Sequence, residues 1–294
     1  MSNESPAPWT VLRLLEWTRK YFAEAQVDQP RLCAEVLLGR VLGCERIELY
    51  TRFDYCPNPD QLSEYRQLVK RAAAHEPTAY LVGSREFYSI KFKVTGDVLI
   101  PRPETEQLVA EAEAHLKTLG RPGLMWDVCT GSGCVAVAAA IQVDDLRVLA
   151  SDICPKAIEV AGENIEAHNL ADRVSCGVSD LASIPDNCAE FSGKLFDVIT
   201  ANPPYVADDD EVGASVTHEP HRALYSGRDG LDCIRKLLPQ IPPLLNEGGV
   251  LAMEFGIGQH DAIGALIGET DGFDEPQILT DHQDIERTVV VRRI

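Results

Sequence analysis

Between residues 9 and 81, apolar side chains recur at helical spacing. Val11, Leu14, Leu15, Thr18 and Phe22 fall on one stripe, and Leu32, Cys33, Val36, Leu37 and Val41 form a second that stops at Gly43. Two amphipathic helices are predicted. A third is expected from Asn58-Pro59, where Asn can cap and Pro suits the first helical position; its apolar residues Leu62, Tyr65, Leu68, Val69 and Ala72 share a face. The region groups no acids, bases and nucleophiles. It reads either as a plain helical bundle or as a module that recognises a partner.

The period then changes. Phe87, Ile90, Phe92 and Val94 alternate with polar residues, and Thr95-Gly96-Asp97 precedes Val98–Ile100, a pattern that predicts a β-hairpin turning at 95–97 and serving as a linker. Two prolines in Pro101-Arg-Pro103-Glu-Thr105-Glu forbid regular structure before a helix expected from Glu106 to Leu119, ending at Gly120. From Leu124 onward short apolar runs alternate with helical stretches, which implies parallel strands joined by crossover helices. The expected strands are Leu124–Val128, Val148–Ser151, Val174–Gly177, Phe196–Thr200, Val250–Phe255, Gln277–Leu279 and Thr288–Val291. Such sheets bind ligands beyond the C-terminal ends of their strands. No internal repeat or low-complexity segment interrupts the pattern.

A length of 294 residues suits two domains or one large one. With 45% apolar and 25% charged residues the composition is that of a globular protein. Lys and Arg number 27 against 46 Asp and Glu, a formal net charge of −19 that repels phosphate backbones and anionic membranes. No apolar run reaches 18 residues, and the start, Met1-Ser-Asn-Glu-Ser-Pro6, has neither the basic nor the apolar part of a secretory signal. A cytoplasmic protein without a membrane partner is expected. The nine cysteines contain no C-x-x-C pair and read as small buried hydrophobes in a reducing compartment, with no metal site.

Three loops carry chemistry. The first, Asp127-Val-Cys129-Thr130-Gly131-Ser132-Gly133, lies between a strand and an Ala-rich helix; its glycines permit tight turning and close approach to a ligand, and the helix start offers free N–H groups. The second strand ends at Asp152, 19 residues beyond Gly133, about where an acid accepts from ribose hydroxyls. Together they point to a nucleoside-containing cofactor, and the absence of a P-loop lysine counts against triphosphate hydrolysis. A nicotinamide dinucleotide and S-adenosylmethionine both remain open at this point. The third loop decides between them. In Asn202-Pro203-Pro204-Tyr205 the prolines fix an extended backbone, so that the Asn202 side-chain oxygen and the Pro203 carbonyl can accept both hydrogens of a planar NH2 group. That orients a nitrogen whose lone pair is otherwise delocalised, and Tyr205 can pack on the planar substrate.

In this order, Asp127–Gly133, Asp152, Ser179-Asp180 and Asn202–Tyr205 resemble the class I S-adenosylmethionine-dependent methyltransferases that act on planar NH2 groups. More narrowly, the sequence is similar to the peptide chain release factor glutamine methyltransferases (HemK/PrmC type) through four segments: Gly83–Ser89, Ile100–Glu106, His218–Leu224 and Met253–Gly256. The resemblance covers nearly the whole chain. It implies an α/β fold, a Rossmann-like seven-stranded domain over 104–294, preceded by a helical substrate-docking domain over 1–84 and a hairpin linker over 85–103. It also implies methyl transfer to the glutamine amide nitrogen of the Gly-Gly-Gln tip of release factors. By position, Asp127, Cys129, Thr130, Gly131, Ser132 and Gly133 would wrap the cofactor, Asp152 would hold its ribose, and Asp180 and Leu181 would lie by the adenine. Asn202, Pro203, Pro204 and Tyr205 would hold the target, with Asn202, Pro203 and Tyr205 catalytic and Asn202 also touching the cofactor. The family usually has Gly at 129 and often an aromatic residue at 181, so Cys129 and Leu181 bear on cofactor affinity. The acidic run Asp208–Glu211 reads as a solvated loop. A ribosomal-protein glutamine methyltransferase, a nucleic-acid amino-methyltransferase and a non-catalytic cofactor-binding protein are the alternatives. The Pro-Arg-Pro-Glu-Thr-Glu segment, the charge of −19 and the intact Asn202 and Asp152 count against them in that order.

Overall fold

The computed structural model describes residues 8–294, so the Met1–Pro6 segment on which the expectation about a leader rested lies outside the described residues. The chain forms two compact units, one comprising residues up to Gly83 together with Val212–His218, the other Ser84–Glu211 with Glu219–Ile294.

Among the described residues, the first unit holds five α-helices, α1 (Val11–Glu24), α2 (Pro30–Leu42), α3 (Arg46–Leu49), α4 (Pro59–Ala73) and α5 (Thr78–Val82). The predicted stripes face its interior: Val11, Leu14 and Phe22 of α1 meet Leu37 and Leu38 of α2 and Leu68 and Val69 of α4. Local chemistry sets the ends. Asn58 accepts from the Gln61 N–H at 2.9 Å while Gln61 Oε1 accepts from the Asn58 N–H at 3.0 Å, a reciprocal cap with Pro59 at the first helical position. Gly43 closes α2 at φ +62°, a left-handed conformation that costs glycine little. Glu35, buried on α2, is held by Arg31, Arg46 and the Tyr50 hydroxyl, which is why it is tolerated inside.

The second unit opens with a hairpin of β1 (Ser84–Phe87) and β2 (Ile90–Lys93). Its turn is at Tyr88-Ser89, with φ of +53° and +60°, and not at Thr95–Asp97 as the sequence suggested. Thr95–Asp97 does turn, through Asp97 N–H to Thr95 Oγ1 at 3.2 Å, but Val98–Ile100 leaves it as coil. Asn164 fixes the hairpin's end: its Oδ1 accepts from the Lys93 N–H and its Nδ2 donates to the Lys93 carbonyl, at 2.8 and 3.0 Å.

There follow α6 (Glu106–Leu116), β3 (Leu124–Val128), α7 (Cys134–Gln142), β4 (Arg147–Asp152), α8 (Pro155–Ala167), β5 (Val174–Val178), β6 (Phe196–Ala201), α9 (Asp232–Leu237), β7 (Leu245–Glu254), α10 (His260–Gly268), β8 (Gln277–Thr280) and β9 (Glu286–Arg292). All seven expected sheet strands form, in the order β5-β4-β3-β6-β7-β9-β8. Six point the same way; β9 alone is reversed, antiparallel to both β7 and β8, a departure from the all-parallel expectation. Alternation along the strands builds two cores. Trp126, Val128, Ile199, Leu251 and Met253 pack on one face with α9 and α10, while Met125, Val148, Val198 and Ala252 pack on the other with α6 and α7. Strand β6 is buried throughout and brings its C-terminal end, Ala201, to the middle of the sheet's edge of loops.

The cysteines only partly follow expectation. Cys33, Cys134 and Cys188 are buried, Cys56 is exposed, and the other five are intermediate; all nine are free thiols. Among the described residues, no helix is long and apolar enough to cross a membrane and no cluster of His, Cys, Asp or Glu is placed to hold a metal. Replacing Asn58 with Ala should cost about 1 kcal/mol by removing the α4 cap. A lower urea midpoint for loss of helical circular dichroism would register it, and an unchanged midpoint would show that the cap contributes nothing.

Candidate active site

Strand β3 carries a buried acid next to its last residue. Asp127 accepts from the Thr130 hydroxyl at 2.5 Å and from the Thr200 hydroxyl at 2.7 Å. Burial pushes its carboxyl up to about 6, against the pull of those two hydroxyls. The loop then curls through left-handed residues: Cys129 at φ +58°, Gly131 at +55° and Gly133 at +78°. Cys129 is therefore a side chain in a conformation that suits glycine. Its thiol lies against that of Cys233, which together with burial holds it well above the ordinary thiol range. Gly133 caps α7 and lies against α8, where an added Cβ would come within 3.2 Å of Ala161 Cβ. Its role is close helix packing.

Asp152, at the end of β4, reaches back to this loop. One oxygen accepts from the Gly131 N–H at 3.0 Å, the other from the Cys154 N–H at 2.9 Å, and burial raises its pKa. Each oxygen retains a second acceptor direction for a ligand. After β5, Asp180 is exposed and Leu181 is half-buried at φ +50°. After β6, Asn202 Nδ2 lies 3.1 Å from the hydroxyl of Thr105, which is 2.6 Å from Glu254 Oε2; the Tyr205 hydroxyl donates to Glu254 Oε1 at 2.9 Å. Burial raises the Glu254 carboxyl and, with Glu254 beside it, the Tyr205 hydroxyl.

These loops surround one cavity of about 530 Å³, a volume suited to a nucleoside-sized ligand. Asp127, Cys129, Thr130, Gly131, Ser132, Asp152, Asp180, Leu181, Asn202 and Pro204 line it. Gly133, Pro203 and Tyr205 do not: Pro203 is buried, and Tyr205 packs against the sheet core with its hydroxyl on Glu254. The ring expected to lie on the substrate is thus turned to the protein in this structure. Sequence reasoning missed Thr105, Arg102, Arg222, Cys233 and Lys236 as lining residues and Glu254 behind them. Arg102 is clamped by Glu219, whose other oxygen accepts from the Ile100 N–H at 3.0 Å, so the proline-rich segment is tied to the segment after Asp208–Glu211. For Arg102, Thr105, Arg222 and Glu254 the signal lies in Pro101–Glu106, His218–Leu224 and Met253–Gly256, read only as resembling segments; Cys233 and Lys236 fall in none of them.

A ribose-bearing ligand fits this donor set: a partly buried acid facing the Gly-rich loop, a backbone without side chain at Gly131, and the apolar Leu181 across the cavity. An open α/β sheet with a Gly-rich first loop and an acid on the second strand defines a nucleoside-cofactor fold, and the family match singles out the class I methyltransferases, a class that takes S-adenosylmethionine as methyl donor. Residues 13–83 match the PrmC N-terminal domain family and residues 105–228 the Methyltransferase small domain family. The chain is 41% identical to a release factor glutamine methyltransferase of Rhodopirellula baltica, covering 99% of this chain and 98% of that protein. It is 39% identical to one of Geobacter sulfurreducens, covering 98% of each. The catalytic domain of hMettl16, solved in complex with a MAT2A 3′UTR hairpin, shares the fold at a TM-score of 0.53 and 13% identity, over 69% of this chain and 75% of that one. This chain belongs to the release factor glutamine methyltransferase family.

The raised Asp127 carboxyl carries a sign. Its folded pKa of about 6 lies above the unfolded value, so the folded state binds the proton more tightly, and this group's contribution to stability increases as pH falls through that window. The stability of the wild type relative to Asp127→Asn should therefore rise by about 1–3 kcal/mol between pH 7 and pH 4, since groups common to both cancel. Paired urea titrations across that range would measure it; a pH-independent difference would remove the strain assigned to this buried charge.

Proposed function

We propose that this chain transfers a methyl group from S-adenosylmethionine to the side-chain amide nitrogen of a glutamine in a peptide chain release factor, the one in its Gly-Gly-Gln motif. The observation that carries the reading is the placement of Asn202 on the same cavity as the Gly-rich loop and Asp152. The bound donor supplies a methyl on a positively charged sulfur, open to attack by a nucleophile in line with it. The protein's part is to bind and to orient. Asp127 holds the loop in shape through Thr130, Asp152 accepts from the ribose, and Cys129–Ser132 run along the amino-acid part. Asp180 and Leu181 flank the base.

The glutamine amide is planar and a weak nucleophile. With one hydrogen donated to Asn202 Oδ1 and the other to the backbone carbonyl of Pro203, whose ring is buried off the cavity, it is held in line and its lone pair is less drawn into the carbonyl. Its proton becomes acidic on methylation, so no strong base is needed. Pro204 keeps the backbone extended, and Tyr205, anchored on Glu254, fixes the loop's exit. The helical region 1–84 serves to dock the protein substrate, with 85–103 as its linker. A net charge of −19 suits a protein substrate and not a phosphate backbone.

Labelled S-adenosylmethionine offered with a bacterial release factor, its Gly-Gly-Gln→Gly-Gly-Ala variant and total RNA tests the assignment. Label on the wild-type factor alone is expected; label on RNA or on the Ala variant would overturn it. Asn202→Ala should lower transfer by at least about 100-fold with cofactor affinity nearly unchanged, whereas Asp152→Ala should weaken cofactor binding first, by about 10–100-fold. Calorimetry beside the transfer assay separates the two, and the reverse pattern would show their roles exchanged.

A further inference from the structure

Behind Asn202 stands a chain of groups of which the roles above use only the Tyr205–Glu254 contact. Asn202 Nδ2 lies 3.1 Å from Thr105 Oγ1, Thr105 Oγ1 lies 2.6 Å from Glu254 Oε2, and the Tyr205 hydroxyl lies 2.9 Å from Glu254 Oε1. Thr105 and Glu254 are 3% and 1% exposed, so water does not compete for these bonds. Their directions follow from counting hydrogens. An ionised carboxylate only accepts, so both hydroxyls donate to Glu254. A threonine hydroxyl has one hydrogen; with it committed to Glu254, the oxygen of Thr105 can only accept from its other neighbour. The arm of Asn202 that meets Thr105 is therefore its NH2, and the carbonyl arm faces the cavity that Asn202 lines.

We infer that Thr105 and Glu254 are positioning residues, which lock the side-chain amide of Asn202 in the one orientation that accepts a hydrogen bond from the target amine. The inference rests on the role given to Asn202 above and supplies what that role lacks. A free asparagine amide can turn over, and the turned form would set NH2 against NH2, donor against donor. Protonation of Glu254 would loosen the lock, because a carboxylic acid can donate to Thr105 and release the Thr105 hydrogen toward Asn202. The groups around Glu254 are the hydroxyls of Thr105 and Tyr205, the Arg287 guanidinium, itself 3.6 Å from Asp281, and the Glu104 carboxylate. Burial is the largest influence and places its pKa above the ordinary carboxylate value. Turnover is accordingly expected to decline on the acid side before ordinary carboxylates titrate.

The test uses the full chain and three variants, Thr105→Val, Thr105→Ser and Asn202→Asp. In ¹⁵N-labelled protein the Asn202 side-chain NH2 signals, identified by their loss in N202D, should be protected from solvent exchange in wild type and T105S and exposed in T105V. Steady-state transfer to a release factor should fall about 10–100-fold in kcat for T105V, with KM for the factor and cofactor affinity within about threefold, and T105S should stay within about threefold of wild type. Unaltered amide protection in T105V, or equal kcat in T105V and wild type, overturns the inference. So does a T105S enzyme as slow as T105V, which would mark a packing effect. A wild type that does not methylate the factor would sink the functional reading instead, and the amide signals would still decide the orientation.

Discussion

Everything at the open end of the sheet depends on one buried charge. Asp127 is the point where the loop after β3 and the end of β6 are tied, through the hydroxyls of Thr130 and Thr200. Asn202 follows Thr200 by two residues. A parallel sheet leaves the loops beyond its strand ends without ladder partners, so their shape must come from elsewhere. Here it comes from a carboxylate that folding drives out of water, with its pKa pushed to about 6 as the sign of that cost.

The same device occurs twice. In one, Thr130 of the Gly-rich loop and Thr200 of β6 both donate to Asp127; in the other, Thr105 stands between Glu254 and Asn202. A threonine is suited to this place because its methyl packs in an apolar surrounding while its hydroxyl both donates and accepts. Each buried acid is thereby connected to a neighbouring loop group through a hydroxyl. The two sit on different strands, β3 and β7, on either side of β6, and hold the cavity's floor from both directions.

Much of this was readable from the chain. Helices α1, α2 and α4 and all seven sheet strands follow from apolar period, because burial of one face, or of both, is the dominant constraint on those segments. Strand direction was not readable: the apolar run of β9 has the same pattern whichever way the strand runs. The hairpin turn at Tyr88-Ser89 has neither Gly nor Asn at its left-handed positions, so turn chemistry pointed instead to Thr95–Asp97. At the site, Asp127, Asp152 and Asn202 were legible because each stands at or just past the C-terminal end of a strand. Thr105 and Glu254 were not, since they meet across 149 residues of sequence and nothing in either local segment announces the other. Gly133 and Tyr205 sat in recognisable motifs, yet in the structure both serve packing.

Asn164 gives the molecule a property that no single loop has. Besides gripping the backbone of Lys93 it donates to the Ser132 carbonyl at 2.8 Å, so one amide group joins the hairpin to the Gly-rich loop. Two segments that share a ligand in this way share their fluctuations. Whatever free energy an occupant of the cavity contributes to stiffening the loop is felt at the hairpin as well, and by thermodynamic reciprocity anything that steadies the hairpin must tighten the hold on that occupant by the same factor.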